Sequence, residues 1–185
     1  MSEKRIQIPE GIFSEIATGD PHAFEELYKL TYRGMYAFCL NLTKDKDDAE
    51  DLMQDSYIRI RNASHLYKEQ GNPMGWMMKI TKNLYLMKLR KEKNKTTVDI
   101  DDYENDPKLG FEQISDSDNR MLLEELFLHL KDADKEIVIL HGLNDMTFQE
   151  IADMQGKPLG TILTKYNRAI KKLNLIVTKE GRSKI

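Results

Sequence analysis

The stretch from Thr147 to Leu173 constrains the fold most, because it has the pattern of two helices joined by a glycine turn. Thr147 can cap the first helix, and Glu150 three residues later completes a capping box. Gly156 and Pro158 then interrupt the helical pattern, as a tight turn requires. Apolar residues recur afterwards at steps of three and four. This spacing predicts a second, amphipathic helix.

The outer face of that second helix carries hydroxyls and cations but no carboxylates. Its members are Thr161, Thr164, Lys165, Arg168 and Lys172. Small Ala152 permits close helix packing, and Ile162 would close the corner between the helices. The combination is typical of a helix-turn-helix, whose second helix enters a DNA major groove. Cations would contact phosphates or guanine, and hydroxyls would contact base edges. The alternative is an amphipathic hairpin with a solvated basic face.

The chain as a whole is not a polycation, since its net charge is −3 over 185 residues. DNA binding must therefore come from local basic patches. Apolar content of 40% with 32% charged residues is ordinary for a folded, helix-rich protein. The single Cys39 excludes an internal disulfide and suits a reducing compartment. With no visible signal peptide or membrane-spanning apolar run, we predict a cytoplasmic protein without membrane insertion.

An acidic burst opens the helix that begins near Asp45: residues 45–55 contain six acidic residues and one basic residue. Its polar face consists of Asp48, Glu50, Asp51, Gln54 and Asp55. Acidic residues near a helix start complement the helix dipole, so a solvated acidic face is one interpretation. Six carboxylates exceed what capping needs, which favours a docking surface for a basic partner.

A basic helix follows, with seven basic residues and one acidic residue between positions 76 and 95. Trp76 and Tyr85 lie among these cations. Surfaces that hold single-stranded nucleic acid combine stacking aromatic rings with phosphate-binding cations, so the pattern predicts nucleic-acid contact. The two aromatic residues fit a hydrophobic core equally well.

Residues 93–118 lose the helical pattern. Between positions 96 and 118 there are eight acidic residues and one lysine, with Pro107 and Gly110 among them. We predict a flexible acidic linker here. The predicted fold is all-α, with a helical domain over residues 1–92, this linker, and a second helical domain over residues 119–185 that contains the helix-turn-helix.

In the first domain we predict that Asp20 caps a helix running to about Thr43, that Cys39 is a small buried core residue, and that residues 68–75 form a turn. In the second domain we predict one helix over residues 121–130 and another that begins at Asp134.

Catalytic constellations are missing from the sequence. The four histidines are scattered without paired ligand spacing, and neither a Gly-rich phosphate loop nor a nucleophile motif occurs. The sequence therefore predicts a binding protein that is not an enzyme and needs no cofactor or metal.

Three segments together resemble a known family. DAEDLMQDSYIRIRNA, residues 48–63, resembles the signature of region 2 in bacterial RNA polymerase sigma factors of the sigma-70 family. GNPMGWMMKITKNLYLMKLRKEK, residues 71–93, is similar to the segment that melts and reads the −10 promoter element. Residues 128–173 resemble region 4, which reads the −35 element. The short architecture resembles the extracytoplasmic-function (ECF) group, which keeps only regions 2 and 4.

The resemblance implies three sets of site residues. Docking to core RNA polymerase is assigned to Asp48, Glu50, Asp51, Gln54 and Asp55. The −10 element is assigned to Asn72, Trp76, Lys79, Lys82, Asn83 and Arg90. The −35 element is assigned to Thr161, Thr164, Lys165, Asn167, Arg168 and Lys172. An anti-sigma factor is a further partner that the resemblance implies.

Four positions depart from the family pattern. Met87 stands where an aspartate is usual, and Lys131 stands near a usual proline. Leu163 replaces a common basic residue, and Lys165 replaces an arginine. Lysine lacks the bidentate fork of arginine, so the −35 sequence read or the strength of binding is expected to differ.

The resulting hypothesis is a sigma factor that binds core polymerase, recognises the −10 and −35 elements, melts promoter DNA and starts transcription of a specific regulon. The alternative is a stand-alone helix-turn-helix transcriptional regulator. That alternative would explain residues 119–185 but would leave the acidic helix and the Trp/Lys helix without a role.

Overall fold

A computed structural model describes residues 7–9, 11–69, 71–93 and 129–182, and all regular structure in these ranges is helical. Its α-helices are α1 (Ile12–Ala17), α2 (Pro21–Thr43), α3 (Lys46–Ala63), α4 (Pro73–Lys93), α5 (Asp132–Val138), α6 (Phe148–Gln155) and α7 (Leu159–Arg182). A 3-10 turn at Ser64–Leu66 follows α3, and a π-helical turn at Ile139–Leu143 follows α5. The predicted all-α fold is confirmed.

The chain divides into two units, Met1–Gly110 and Phe111–Ile185. The predicted linker lies outside the described residues except for Lys93, which is the last residue of α4. The helix predicted around residues 121–130 also lies outside them, apart from residues 129 and 130. The domain bounds 1–92, 93–118 and 119–185 therefore stay a prediction.

Local side chains determine where α2 and α3 begin. The Asp20 carboxylate accepts a hydrogen bond from the backbone N–H of His22 (2.8 Å), with Pro21 as the first helical residue. The Asp45 carboxylate accepts from the N–H groups of Asp47 (2.9 Å) and Asp48 (3.0 Å). Both starts agree with the sequence prediction, because capping depends only on residues close along the chain.

In the first unit, α3 packs against both α2 and α4, and α1 packs against α2 and the 3-10 turn. The core consists of fully buried apolar side chains, among them Phe13, Leu27, Phe38, Leu52, Ile60 and Met77. Cys39 belongs to this core, as predicted, and its burial raises the pKa of the thiol to about 12. The thiol is therefore protonated and chemically inert at neutral pH.

A buried hydrogen-bond chain joins α2 to α3. The Thr31 hydroxyl donates to the Leu27 carbonyl (2.7 Å), so the Tyr57 hydroxyl, 2.7 Å from Thr31 Oγ1, is the donor in the second bond. Burial raises the pKa of Tyr57 well above its ordinary value. The phenol is thus neutral, and its hydrogen bond to Thr31 fixes the alignment of α2 and α3.

We expect Thr31→Val to lower the free energy of unfolding of the first unit by about 2 kcal/mol and Tyr57→Phe by about 1 kcal/mol. Valine leaves the buried Tyr57 hydroxyl without its acceptor, whereas phenylalanine leaves a Thr31 hydroxyl that still donates to Leu27. The single tryptophan, Trp76, reports this unit in urea titrations. Thr18→Val, at an exposed hydroxyl, is the control. A larger loss in Tyr57→Phe would contradict the assigned donor direction.

In the second unit, α5 and α6 both pack against α7. Its core includes the fully buried Ile137, Ile139, Leu140, Ile151 and Ile162. Two predicted boundaries were wrong. Helix α5 begins at Asp132 and not at Asp134, which is buried inside the helix. Helix α4 begins at Pro73, within the segment predicted as a turn, because the Asn72 side chain caps it.

Candidate polymerase-binding and DNA-binding surfaces

The acidic surface of the first unit is the outward face of α3. Asp48, Asp51, Gln54 and Asp55 are exposed, and Glu50 is half-buried. The opposite face of the helix is buried in the core through Ala49, Leu52, Met53, Ser56 and Ile60. The carboxylates therefore lie on one face of a helix that is packed into the core. The sequence alone left open whether this face is only solvated or also binds a partner.

One member of this acidic surface already has a cationic neighbour. The Nζ atom of Lys88 on α4 lies 2.7 Å from a carboxylate oxygen of Asp55, with both side chains about half exposed. A pair this exposed contributes at most about 1 kcal/mol to stability. Asp55 therefore remains accessible to a basic partner, and the pair also fixes part of α4 beside the acidic surface.

The candidate −10 residues lie on α4 and at its start. Lys79, Asn83 and Arg90 are exposed, whereas Asn72, Trp76 and Lys82 are half-buried. Positions 79, 83 and 90 recur at helical spacing, so these three side chains share one side of α4. The structure brings the cations together on one surface but places the other candidates partly inside the fold.

Trp76 packs in an aromatic cluster and is half-buried. Its ring centroid lies 5.1 Å from that of Phe13 on α1 and 5.3 Å from that of Tyr67. The Phe13 and Tyr67 rings are 4.4 Å apart. The cluster anchors the start of α4 against α1 and the loop before it. The sequence had left core packing and nucleic-acid stacking open as equal explanations for this residue.

Asn72 is the N-cap of α4. Its Oδ1 accepts a hydrogen bond from the backbone N–H of Gly75 (2.7 Å). A Cβ atom at Gly75 would lie 2.6 Å from Asn72 Cγ, closer than side chains can approach. Glycine at position 75 is therefore what allows the amide of Asn72 to reach its capping position.

We expect Gly75→Ala to lower the free energy of unfolding of the first unit by about 1 kcal/mol, because the methyl group displaces the cap. Urea unfolding followed by Trp76 fluorescence measures the loss. Asn72→Ala should cost a similar amount, and the double variant should lose little more than either single variant. Gly11→Ala, whose Cβ would meet no atom within 4 Å, is the matched glycine control. Full additivity would argue against a shared cap.

The second unit contains the predicted helix-turn-helix, formed by α6 and α7. Glu150 N–H donates to Thr147 Oγ1 (3.2 Å), and Thr147 N–H donates to Glu150 Oε2 (2.7 Å), which completes the predicted capping box. Gly156 ends α6 with φ at +62°, and Lys157 N–H donates back to the Ala152 carbonyl (3.0 Å). This is a Schellman turn, which favours glycine. Buried Ala152 completes the predicted close packing.

The candidate −35 residues occupy α7. Thr164, Asn167, Arg168 and Lys172 are exposed, and Thr161 and Lys165 are half-buried. Thr164 Oγ1 donates to the Gly160 carbonyl (2.8 Å), so its lone pairs still face outward. Leu163, one of the departures from the family pattern, is 37% exposed on the same helix. The first two turns of α7 thus present hydroxyls, one cation and the exposed apolar side chains of Leu159 and Leu163.

Arg168 makes a contact that the sequence did not reveal. Its Nε donates to one carboxylate oxygen of Asp134 (2.9 Å) and its Nη2 donates to the other (2.6 Å). The Asp134 side chain is only 5% exposed, whereas that of Arg168 is 56% exposed. Hydrogen bonding to Asp134 raises the pKa of Arg168 further. This fork connects α5 to α7 across 34 residues of sequence.

An aromatic cluster supports α7 from the other side. The ring of His141 stacks on Phe148 at a centroid distance of 4.0 Å, and both contact Tyr166, at 5.0 and 4.9 Å. His141 Nδ1 lies 2.7 Å from the Met146 carbonyl oxygen. Sequence reasoning treated His141 as one of four scattered histidines. Its role in packing depends on the π-helical turn, which no local pattern indicated.

Comparisons with known proteins agree with this geometry. The family description "Sigma-70 region 2" matches residues 18–95, and "Sigma-70, region 4" matches residues 120–173. Together the two segments cover more than half of the chain. The chain belongs to the sigma-70 family. Region 2 contains α2, α3 and α4, and region 4 contains the helix-turn-helix.

Relatives place it in the ECF group. RNA polymerase sigma factor SigV of Bacillus subtilis is 28% identical over 148 residues, which cover 80% of this chain and 87% of SigV. ECF RNA polymerase sigma factor SigE of Mycolicibacterium smegmatis is 29% identical over 180 residues, with 94% and 70% covered. The chain is therefore an ECF-type sigma factor, a class that acts in transcription initiation and does not catalyse a reaction.

Solved structures share the fold. The structure of CnrH in complex with the cytosolic domain of CnrY gives a TM-score of 0.61 at 15% identity, covering 94% of this chain and 99% of that one. The sigma factor RpoE in complex with the anti-sigma factor NepR from Bartonella quintana gives 0.57 at 22% identity, with 84% and 96% covered.

Two further kinds of feature are absent from the described residues. No group of three or more His, Cys, Asp or Glu side chains is arranged there to hold a metal ion. None of the described helices combines the length and the apolarity that a membrane crossing requires.

Proposed function

We propose that this sigma factor divides its work among three helices: α3 binds core RNA polymerase, α4 holds the melted −10 strand and α7 reads the −35 duplex. The observation that carries the proposal is the segregation of charge. A chain of net charge −3 presents an acidic surface on α3 and cationic surfaces on α4 and α7, each on a helix whose other side is buried. Charges that only keep a protein soluble have no reason to segregate in this way.

The acidic surface of α3 suits a basic partner. Four exposed polar side chains stand on successive turns, and three of them are carboxylates. Opposite charge across such an interface raises the rate of encounter and fixes the register of docking. We assign Asp48, Asp51 and Asp55 to contact with a basic surface of core polymerase, with Gln54 and Glu50 beside them.

The cationic side of α4 suits single-stranded DNA. Extruding a base from a duplex costs a few kcal/mol, and phosphate contacts must offset that cost. Lys79, Lys82 and Arg90 can supply such contacts, and Asn83 can pair with a base edge. Trp76 and Asn72 have a structural role. They fix the start of α4 and the loop before it, so that the cations are held in place.

The first two turns of α7 suit a major groove. In helix-turn-helix proteins the N-terminal residues of the second helix contact base edges. Thr161 and Thr164 can donate to or accept from either base, and Lys165 can contact guanine. Leu163 replaces a cation with an exposed apolar group, which fits a thymine methyl. We therefore propose a −35 preference that includes thymine opposite Leu163.

Two further elements complete the proposal. The linker over residues 93–118 would tether the two DNA-binding units, which raises the effective concentration of the second unit once the first has bound. The structural relatives were solved with partner proteins, one of them named an anti-sigma factor. We propose that an anti-sigma factor also binds this chain, and that the chain acts in the cytoplasm, where core polymerase resides.

Co-elution with purified bacterial core RNA polymerase on a sizing column tests the proposal. We expect a stable one-to-one complex that supports run-off transcription from a promoter selected with the same complex. Failure to co-elute, with the free chain helical by circular dichroism, would contradict the proposal. Promoter binding by the free chain alone would instead support a stand-alone helix-turn-helix regulator.

A further inference from the structure

The Arg168–Asp134 fork restricts what Arg168 can do on DNA. A guanidinium has five N–H donors, of which Asp134 accepts two, through Nε and Nη2. The other three lie on the part of the group directed away from the carboxylate, and more than half of the side chain is exposed. Arg168 can therefore hold Asp134 and donate to a second acceptor at the same time.

Releasing Asp134 would be unfavourable. Its carboxylate is almost fully buried in the first turn of α5, so the departure of Arg168 would leave a buried charge without its cation. The free-energy cost of breaking this buried ion pair exceeds the free energy that one base contact contributes. The fork therefore persists on DNA, and the position of the guanidinium is set by α5 and not by the base sequence.

The place of Arg168 along α7 points to the backbone of the duplex. It is the tenth residue of the helix, about 14 Å from the first at 1.5 Å per residue. Base-edge contacts come from the start of a recognition helix. A cation further along and turned toward the neighbouring helix is placed for the sugar–phosphate backbone, where contacts set register but carry no sequence information.

We propose that Asp134 is a positioning residue of the −35 surface: it holds Arg168 against one phosphate of the duplex, so that Arg168 does not read a base. The inference rests on the proposed function, because it assumes that α7 binds −35 DNA. It adds Asp134 to the site and changes the role of Arg168 from base or phosphate contact to phosphate contact alone.

The experiment uses the full chain assembled with bacterial core polymerase. The parent complex first selects its preferred −35 duplex from a randomised library, and affinities are then measured for that duplex and for a scrambled one at several salt concentrations. Arg168→Ala should weaken binding to both duplexes by the same factor, about tenfold or more. It should also reduce the slope of log affinity against log salt concentration by about one, as expected for one lost phosphate contact.

A double-mutant cycle tests the positioning role of Asp134. In an Asp134→Asn background, the loss of DNA affinity caused by Arg168→Ala should shrink severalfold, because the Asp134 carboxylate no longer holds the guanidinium in place. In an Asp132→Asn background the full loss should remain. Asp132 is an exposed carboxylate two residues away on the same helix, so the control removes the same charge. Thermal unfolding of each free chain verifies folding.

The outcomes separate this inference from the proposed function. If the parent complex enriches no sequence at all, the −35 assignment fails and the inference fails with it. If the parent enriches a sequence but Arg168→Ala relaxes the preference at one base pair, Arg168 reads a base and the inference alone is overturned. Equal behaviour of the Asp134→Asn and Asp132→Asn backgrounds would also overturn it.

Discussion

Asp51→Lys combined with Asp55→Lys is expected to abolish binding to core RNA polymerase while the helices remain intact. Both carboxylates are exposed on α3, and the side chains that hold α3 in the core lie on its opposite face. Reversing two charges replaces attraction by repulsion at an interface. We expect a loss of at least about 3 kcal/mol, which corresponds to more than a hundredfold in affinity.

The Asp55–Lys88 pair requires a second variant. The Asp55→Lys change would place a second cation beside Lys88 and could disturb the packing of α4 on α3. Asp48→Lys combined with Asp51→Lys spares that pair and should weaken binding to a similar degree. Glu15→Lys combined with Glu26→Lys makes the same change in net charge at exposed positions of α1 and α2 and should bind normally. Sizing-column co-elution and fluorescence titration provide the measurements, and parental affinity in either α3 variant would refute the docking assignment.

Lys82→Ala combined with Asn83→Ala is expected to impair promoter opening far more than formation of the closed complex. The two residues lie next to each other on the cationic side of α4, away from the helix-turn-helix in sequence. Loss of a phosphate contact and a base contact, each worth about 1–3 kcal/mol, should reduce the fraction of melted promoter by tenfold or more. Duplex −35 binding should be unchanged, because α7 is intact.

Permanganate reactivity of thymines in the −10 region measures opening, and gel mobility in the presence of heparin separates closed from open complexes. Lys29→Ala combined with Asn41→Ala, on α2, removes the same residue types from a surface to which we assign no DNA contact. Normal permanganate reactivity in the α4 variant, with the promoter fully bound, would show that α4 does not stabilise the melted strand.

The elements with local causes were predictable. Asp20, Asp45 and the Thr147–Glu150 capping box start helices through hydrogen bonds that span two or three residues. Gly156 ends α6 because glycine adopts positive φ at little cost. Apolar spacing also identified which side of α3 would be buried. Each of these features depends on neighbours along the chain, so a single sequence contains the information.

Features that depend on distant residues were not predictable. Trp76 packs on Phe13, and Asp55 pairs with Lys88, but neither partner is indicated by any local pattern. Asp134 was predicted to start a helix. The structure instead buries it inside α5, since Arg168 supplies the compensating charge. Capping is a local preference, and a bidentate partner from another helix overrides it.

The sequence by itself determined the helical fold class, the helix-turn-helix, the sign of each charged surface and the membership in the sigma-70 family that the comparisons confirm. Periodicity, capping and charge density are properties of short segments, and they suffice for those conclusions. Only the tertiary structure decided which charged side chains are available to a partner and which are already engaged. Arg168 and Lys165 look alike in the sequence, yet one is held by a buried carboxylate 34 residues away. Such pairing depends on how helices approach in space, which no spacing along the chain encodes.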